Sequence, residues 1–267
     1  MVRENGLGLS RATVATRRLV ILFLAILVVF GCTRLLASDR VPQLDPIRVR
    51  WRRLSPQIGD WVRRAPATYT YLLILLVTTW VLATSSSSVA HQLLLERSTN
   101  LHHLASDPVR VLIASAFFVT SPSQWFLWVV LFTLIAAPVE HRIGSGRTVA
   151  VFLIGHVGAT LLTAMGLWLA LRGDLVESSV VRAVDVGASY GFVALAGVLT
   201  YLLPRRLRWA WVGALLIVVA VALALALSFT EFGHLLALLT GLACFPLVPR
   251  AHRRGARATD EGERRPA

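Results

Sequence analysis

The sequence predicts an all-α, polytopic membrane protein, and three observations carry that prediction. Only 15% of the residues are charged while 56% are hydrophobic, against roughly 25% charged in an ordinary soluble domain. The apolar residues are gathered into several runs long enough to cross a hydrocarbon core of about 30 Å, and too continuous for the alternating strands of a barrel. The arginines are gathered between those runs and at the tail, the pattern that charge asymmetry across a bilayer produces.

Taken in order, residues 1–18 are polar and basic. Residues 19–37 (LVILFLAILVVFGCTRLLA) form an apolar run long enough to span. It reads as an uncleaved N-terminal helix, with a cleaved signal as the alternative. Residues 38–66 form a linker that interleaves Arg48, Arg50, Arg52, Arg53, Arg63 and Arg64 with Trp51 and Trp61. That composition fits a segment at the membrane interface or a solvated basic linker. The first core helix covers about 68–86. Residues 89–121 are mixed: His91, His102 and His103 have polar neighbours and read as surface residues, and the closing VRVLIASAFFVT is short enough to lie in the interface.

Ser121 and Pro122 start the second core helix, as N-cap and first-turn proline, and it runs to about Glu140. The polar turn EHRIGSGR leads to a third helix at about 148–171. A loop at 172–186 with three acids precedes the fourth helix, about 187–203, which Pro204 stops. The fifth helix covers about 209–228, SFTEFG is a short turn, and the sixth covers about 233–248. A basic tail follows, with the composition of a disordered segment. The organisation is therefore residues 1–66, N-terminal helix and basic linker; residues 67–249, the membrane domain; residues 250–267, a basic tail.

Charge fixes the expected orientation. The turns at 141–147 and 204–208 and the tail are rich in arginine, while the loops at 172–186 and 228–232 hold the acids Asp174, Glu177, Asp185 and Glu231 against two arginines. The arginine-rich side and the C-terminus are expected in the cytoplasm, in the plasma membrane. The net charge of +13 is explained by this asymmetry, so nucleic acid is not an expected partner. Cys32 and Cys244 both lie in apolar runs, and no Cys/His spacing points to a metal or a disulfide framework. No cofactor is implied.

Two polar residues stand out against the apolar runs. Ser189 sits in DVGASYGFVALAG, at the mouth of the fourth helix, and His234 opens the sixth in GHLLALLTG. Both fall near the outer ends of their helices. GASYG matches the GxSxG nucleophile elbow, but that elbow needs a preceding strand and an α/β sheet, which this chain does not supply. Gly187, Gly191 and Gly197, with Ala188, Ala194 and Ala196, make a small-residue face suited to close helix packing, and a serine is at home there. An ionisable residue inside a membrane helix is expensive and usually functional, so His234 carries more weight. His156, on the third helix, reads as structural, bonded to Thr160 or to a neighbouring helix. Asp185 reads as a cap for the fourth helix.

At these residues the chain resembles the rhomboid intramembrane serine proteases, over about residues 68–248. Glu140, Arg142, Gly144 and Ser145 resemble that family's ExRxG turn. Gly187, Ala188 and Ser189 resemble its GxSG motif, with Ser189 at the nucleophile's place. His234 and Gly241 resemble its general-base histidine and the glycine that follows. The resemblance implies a six-helix rhomboid-like bundle in which a Ser189–His234 dyad cleaves transmembrane helices of other proteins. Two departures stand beside it: Tyr190 replaces the glycine after the serine, and Gln124 and Trp128 stand where the family has HxxxN. Gln124 keeps an N–H donor for the oxyanion, whereas Trp128 reads as space-filling. The alternative is a catalytically inactive rhomboid-like pseudoprotease that binds transmembrane clients. A transporter is disfavoured, because no inverted repeat is visible.

Overall fold

The computed structural model describes residues 45–96, 98–99, 104, 106–174, 176, 188–226 and 228–249. The apolar run at 19–37, the tail beyond 249, His102, His103, Asp185 and Gly187 lie outside the described residues. The elements they form are all helices, with no strand among the described residues. The helices are α1 (Asp45–Arg63), α2 (Pro66–Thr84), α3 (Ser87–Glu96), α4 (Pro108–Ser115), α5 (Pro122–Ile143), α6 (Ser145–Arg172), α7 (Ser189–Leu202), α8 (Arg205–Ala226) and α9 (Phe229–Ala243). Helices α2, α5, α6 and α8 are long and apolar enough to cross a membrane; α7 and α9 are apolar but shorter. These six form the expected bundle.

Three sequence expectations need correction, one being that the fifth core helix begins at Arg205, inside the expected 204–208 turn, rather than near 209. Residues 38–66 are not simply a linker, because Asp45–Arg63 is a helix. The sixth core helix begins at Phe229 rather than near 233. Its N-cap is Ser228, whose hydroxyl accepts from the Glu231 amide at 3.4 Å. Ser228 and Glu231 have the S-x-x-E spacing of a helix start, so SFTEFG is mostly first turn.

Proline and glycine shape the path of α5 and α6. Pro138 has no N–H and its ring would meet the carbonyl four residues back. The helix widens to a π segment over Phe132–Ala136 just ahead of it. Gly144, at φ +83°, turns the chain from α5 into α6; a side chain there would be strained by the backbone alone.

A buried carboxylate fixes this end of the bundle. Glu140 is 1% exposed. It accepts from the Ala67 amide at 2.8 Å, the Thr68 amide at 2.8 Å, the Thr68 hydroxyl at 2.7 Å and the Ser145 hydroxyl at 2.6 Å. The first amides of a helix have no partner within it, so α5 caps α2 from across the bundle while holding the start of α6. A negative charge there also complements the α2 dipole.

The core gathers around α7, in which 11 of 14 residues are buried. Ala194 lies between two glycines: a Cβ on Gly155 of α6 would stand 2.1 Å from the Ala194 Cβ, and one on Gly241 of α9 would stand 2.2 Å from the Ala194 carbonyl. Small residues let three backbones approach this closely, giving contact in place of a hydrophobic driving force that lipid does not supply. Beside this contact Phe132, Phe152, Phe192 and Trp128 pack ring against ring.

Candidate active site

Glu140 joins the start of α2 to the end of α5, and the Tyr201 hydroxyl donates to the Leu242 carbonyl at 2.8 Å. These contacts define one end of the bundle. The starts of α5, α7 and α9 lie at the other end, where the rings of Tyr190 and His234 meet. Helix α7 has 14 residues, so it is about 21 Å long at ~1.5 Å per residue, roughly 9 Å short of a ~30 Å hydrocarbon core. Helix α9, with 15 residues, is similarly short. With their C-terminal ends at the far membrane boundary, Ser189 and His234 would lie recessed below the near one.

Ser189 is the first residue of α7 and is half-buried. Its backbone amide belongs to the first helical turn, whose N–H groups have no partner within the helix. His234 lies in the second turn of α9. Its Nδ1 meets Glu231 Oε2 at 3.0 Å, with both side chains about one-fifth exposed (20% and 21%). Among the described residues no hydrogen bond links Ser189 to His234, and Nε2 of His234 has no hydrogen-bond partner. Glu231 is the residue that the sequence reading missed. The Ser228–Glu231 capping spacing contains the signal, because it extends α9 backwards and sets Glu231 and His234 three residues apart on one helical face.

Tyr190 occupies the space behind the histidine. It is 3% exposed, its ring centroid lies 5.2 Å from that of His234 at an interplanar angle of 74°, and 6.4 Å from that of His156. Gly233 makes room for it: a Cβ there would lie 2.3 Å from the Tyr190 hydroxyl oxygen. The tyrosine that departs from the GxSG pattern is therefore matched by a glycine on α9.

His156 bonds a neighbouring helix and not Thr160. Its Nε2 lies 3.1 Å from the Ser115 hydroxyl and 3.1 Å from the Leu112 carbonyl. A proton assigned to Nε2 lets the ring donate to the carbonyl, which tethers α4 to α6; Nδ1 is then a bare acceptor. Thr160 has no side-chain partner among the described residues.

Gln124 lies in the first turn of α5. Its amide oxygen accepts from the Thr120 amide at 2.9 Å and the Thr120 hydroxyl at 2.8 Å, which leaves the NH₂ group as a donor. Trp128, four residues on, packs edge-to-face on Phe192 at 5.4 Å. Gln124 is thus one turn nearer the Ser189 end than this α5–α7 contact, and Ser189, three residues before Phe192, is one turn nearer on α7. Trp128 itself is buried core, and its indole N–H has no partner among the described residues. No group of three or more His, Cys, Asp or Glu residues is placed to hold a metal ion among the described residues.

A family model described as rhomboid-like protein matches residues 60–254. No curated protein and no solved structure matches the chain.

Proposed function

The chain belongs to the rhomboid-like family, and from that premise we propose that it is an intramembrane serine protease cleaving transmembrane helices of other proteins. The observation that carries the proposal is the state of His234. Glu231 takes its Nδ1 at 3.0 Å, while Nε2 has no hydrogen-bond partner among the described residues. A base oriented by a third group, beside a serine at the same end of two packed helices, has the components of an activated nucleophile.

In this mechanism the Ser189 hydroxyl attacks the scissile carbonyl carbon, and its proton passes to His234 Nε2. The new carbon–oxygen bond pushes the carbonyl electrons onto oxygen. The Ser189 backbone N–H and the Gln124 NH₂ receive that oxyanion. Collapse breaks the carbon–nitrogen bond, and His234 returns its proton to the leaving amine. Water then attacks the acyl ester, giving its proton to the same nitrogen, and Ser189 is released with its hydrogen restored. Glu231 accepts from Nδ1–H throughout and stabilises the imidazolium that forms. The arginine-rich end and the C-terminus face the cytoplasm of a plasma membrane, and water enters from the opposite side.

A pseudoprotease that holds transmembrane clients without cutting them is the second reading. It is favoured by the Tyr190 ring against His234 and by the lack of a Ser189–His234 bond among the described residues. Cleavage of a model transmembrane substrate in proteoliposomes distinguishes the two. The protease reading expects cleavage that disappears in both Ser189→Ala and His234→Ala while each variant remains folded. No cleavage by the unaltered chain, with client co-purification retained in both variants, selects the pseudoprotease.

A further inference from the structure

Helix α1 carries an apolar stripe that stays exposed, although Trp61 at its end also touches His141. Leu54, Ile58, Trp61 and Val62 are 42%, 52%, 40% and 37% exposed. Their spacing of i, i+4, i+7 and i+8 places them on one face of the helix. Arg50 and Arg53 flank that face and Arg64 follows the helix end; all three are exposed and make no ion pair among the described residues. Arg63 is already committed, since its guanidinium meets Asp60 at 2.5 Å and holds that carboxyl below its usual range.

The helix is also held close to the bilayer. Two residues, Arg64 and Ala65, separate it from α2, which is long and apolar enough to cross a membrane. At its C-terminal end the Trp61 ring meets His141 edge-on at 4.5 Å, and the Trp61 carbonyl lies 3.1 Å from His141 Nε2. These contacts keep α1 at the end of the bundle that also carries the exposed Arg142, Arg147, Arg205 and Arg206.

We propose that α1 is an interfacial binding element for anionic phospholipid, with Leu54, Ile58, Trp61 and Val62 inserted among the acyl chains and Arg50, Arg53 and Arg64 on headgroup phosphates. An apolar stripe flanked by arginine matches the two layers of a negatively charged leaflet. A soluble partner would have to match the same cations while fitting beneath a helix tied to the bilayer boundary.

The test uses the full chain in vesicles, with Cys32 and Cys244 replaced by alanine and a fluorophore on Ile58→Cys or, as the opposite-face control, on the exposed Pro56→Cys. Quenching by brominated acyl chains is compared with quenching by aqueous iodide. In phosphatidylcholine–phosphatidylglycerol vesicles, bromolipid should quench the label at 58 and iodide the label at 56. One arginine contributes about a factor of five at an anionic surface, from ~1 kcal/mol each. Replacing Arg50, Arg53 and Arg64 together by glutamine should therefore lower the ratio of inserted to free helix by about 10²-fold, and phosphatidylcholine alone should lower it similarly. Iodide quenching at 58 in the mixed vesicles would overturn the proposal. Shielding at 58 from both quenchers would overturn it too, by indicating a protein partner or a second copy. Bromolipid quenching unchanged in the triple variant and in neutral lipid would remove the headgroup contacts and the proposal with them.

Discussion

Replacing Glu140 tests whether the ExRxG-like turn is structural. Glu140→Ala removes the acceptor for two backbone amides and two hydroxyls in a site that is 1% exposed. The hydroxyls of Thr68 and Ser145 can rotate toward other acceptors. The amides of Ala67 and Thr68 cannot, and each buried orphan costs about 1–3 kcal/mol. Loss of the charge at the α2 N-terminus adds about 0.3–1 kcal/mol. The expected destabilisation is therefore roughly 2–7 kcal/mol, a large part of the ~5–15 kcal/mol that holds a typical protein folded. Glu140→Gln should lie between the two. Its oxygen still serves one side of the cluster, its NH₂ opposes the other, and about one amide is orphaned at ~1–3 kcal/mol. Unfolding of the purified chain in bicelles, followed by thermal midpoint and by proteolysis at the α1–α2 junction, reads both effects. An alanine variant within about 1 kcal/mol of the unaltered chain would refute the reasoning, since even one orphaned amide costs that much.

Three further outcomes are expected. Gly155→Ala and Gly241→Ala should each destabilise the bundle by about 1–3 kcal/mol through overpacking. Adding Ala194→Gly should rescue the first, whose clash is with a Cβ, and not the second, whose clash is with a carbonyl; thermal midpoints of the double variants decide this. Glu231→Ala should lower substrate turnover about 10–100-fold, the equivalent of one hydrogen bond to a charged group at ~1.5–3 kcal/mol. Glu231→Gln, which still offers an oxygen to Nδ1–H, should retain most of the turnover, and equal losses in the two variants would contradict the positioning role. A reporter fused after Arg250 should read out as cytoplasmic, and an external signal would invert the proposed topology.

Much of the architecture was legible because membrane helices are specified locally. A run of apolar residues must satisfy its own backbone hydrogen bonds in lipid, so its length and its proline and serine punctuation reveal the element directly. Ser121–Pro122 does start α5, with the Ser121 hydroxyl accepting from the Gln124 amide at 3.2 Å, and Pro204 does close α7. The small residues of α7 announced close packing for the same reason, since size is a property of the residue alone. Ser189 and His234 could be singled out because each is conspicuous against an apolar background.

What pairs with what was decided only by the fold. Glu140 stands 72 residues from Thr68, and nothing local says which helix start it caps. The partners of His156 lie more than 40 residues away on α4, whereas sequence offers Thr160 one turn along. Tyr190 looks like a departure from a pattern until Gly233, on another helix, is seen to receive its hydroxyl end. Glu231 was hidden for a different reason: its role depends on where α9 begins, and moving that start back to Phe229 puts it on the same helical face as His234. Apolar run lengths and single conspicuous residues are written along the chain because solvation acts on each segment separately. Buried hydrogen bonds and interlocked side chains are written across it, because their energy exists only once two distant segments have left water together.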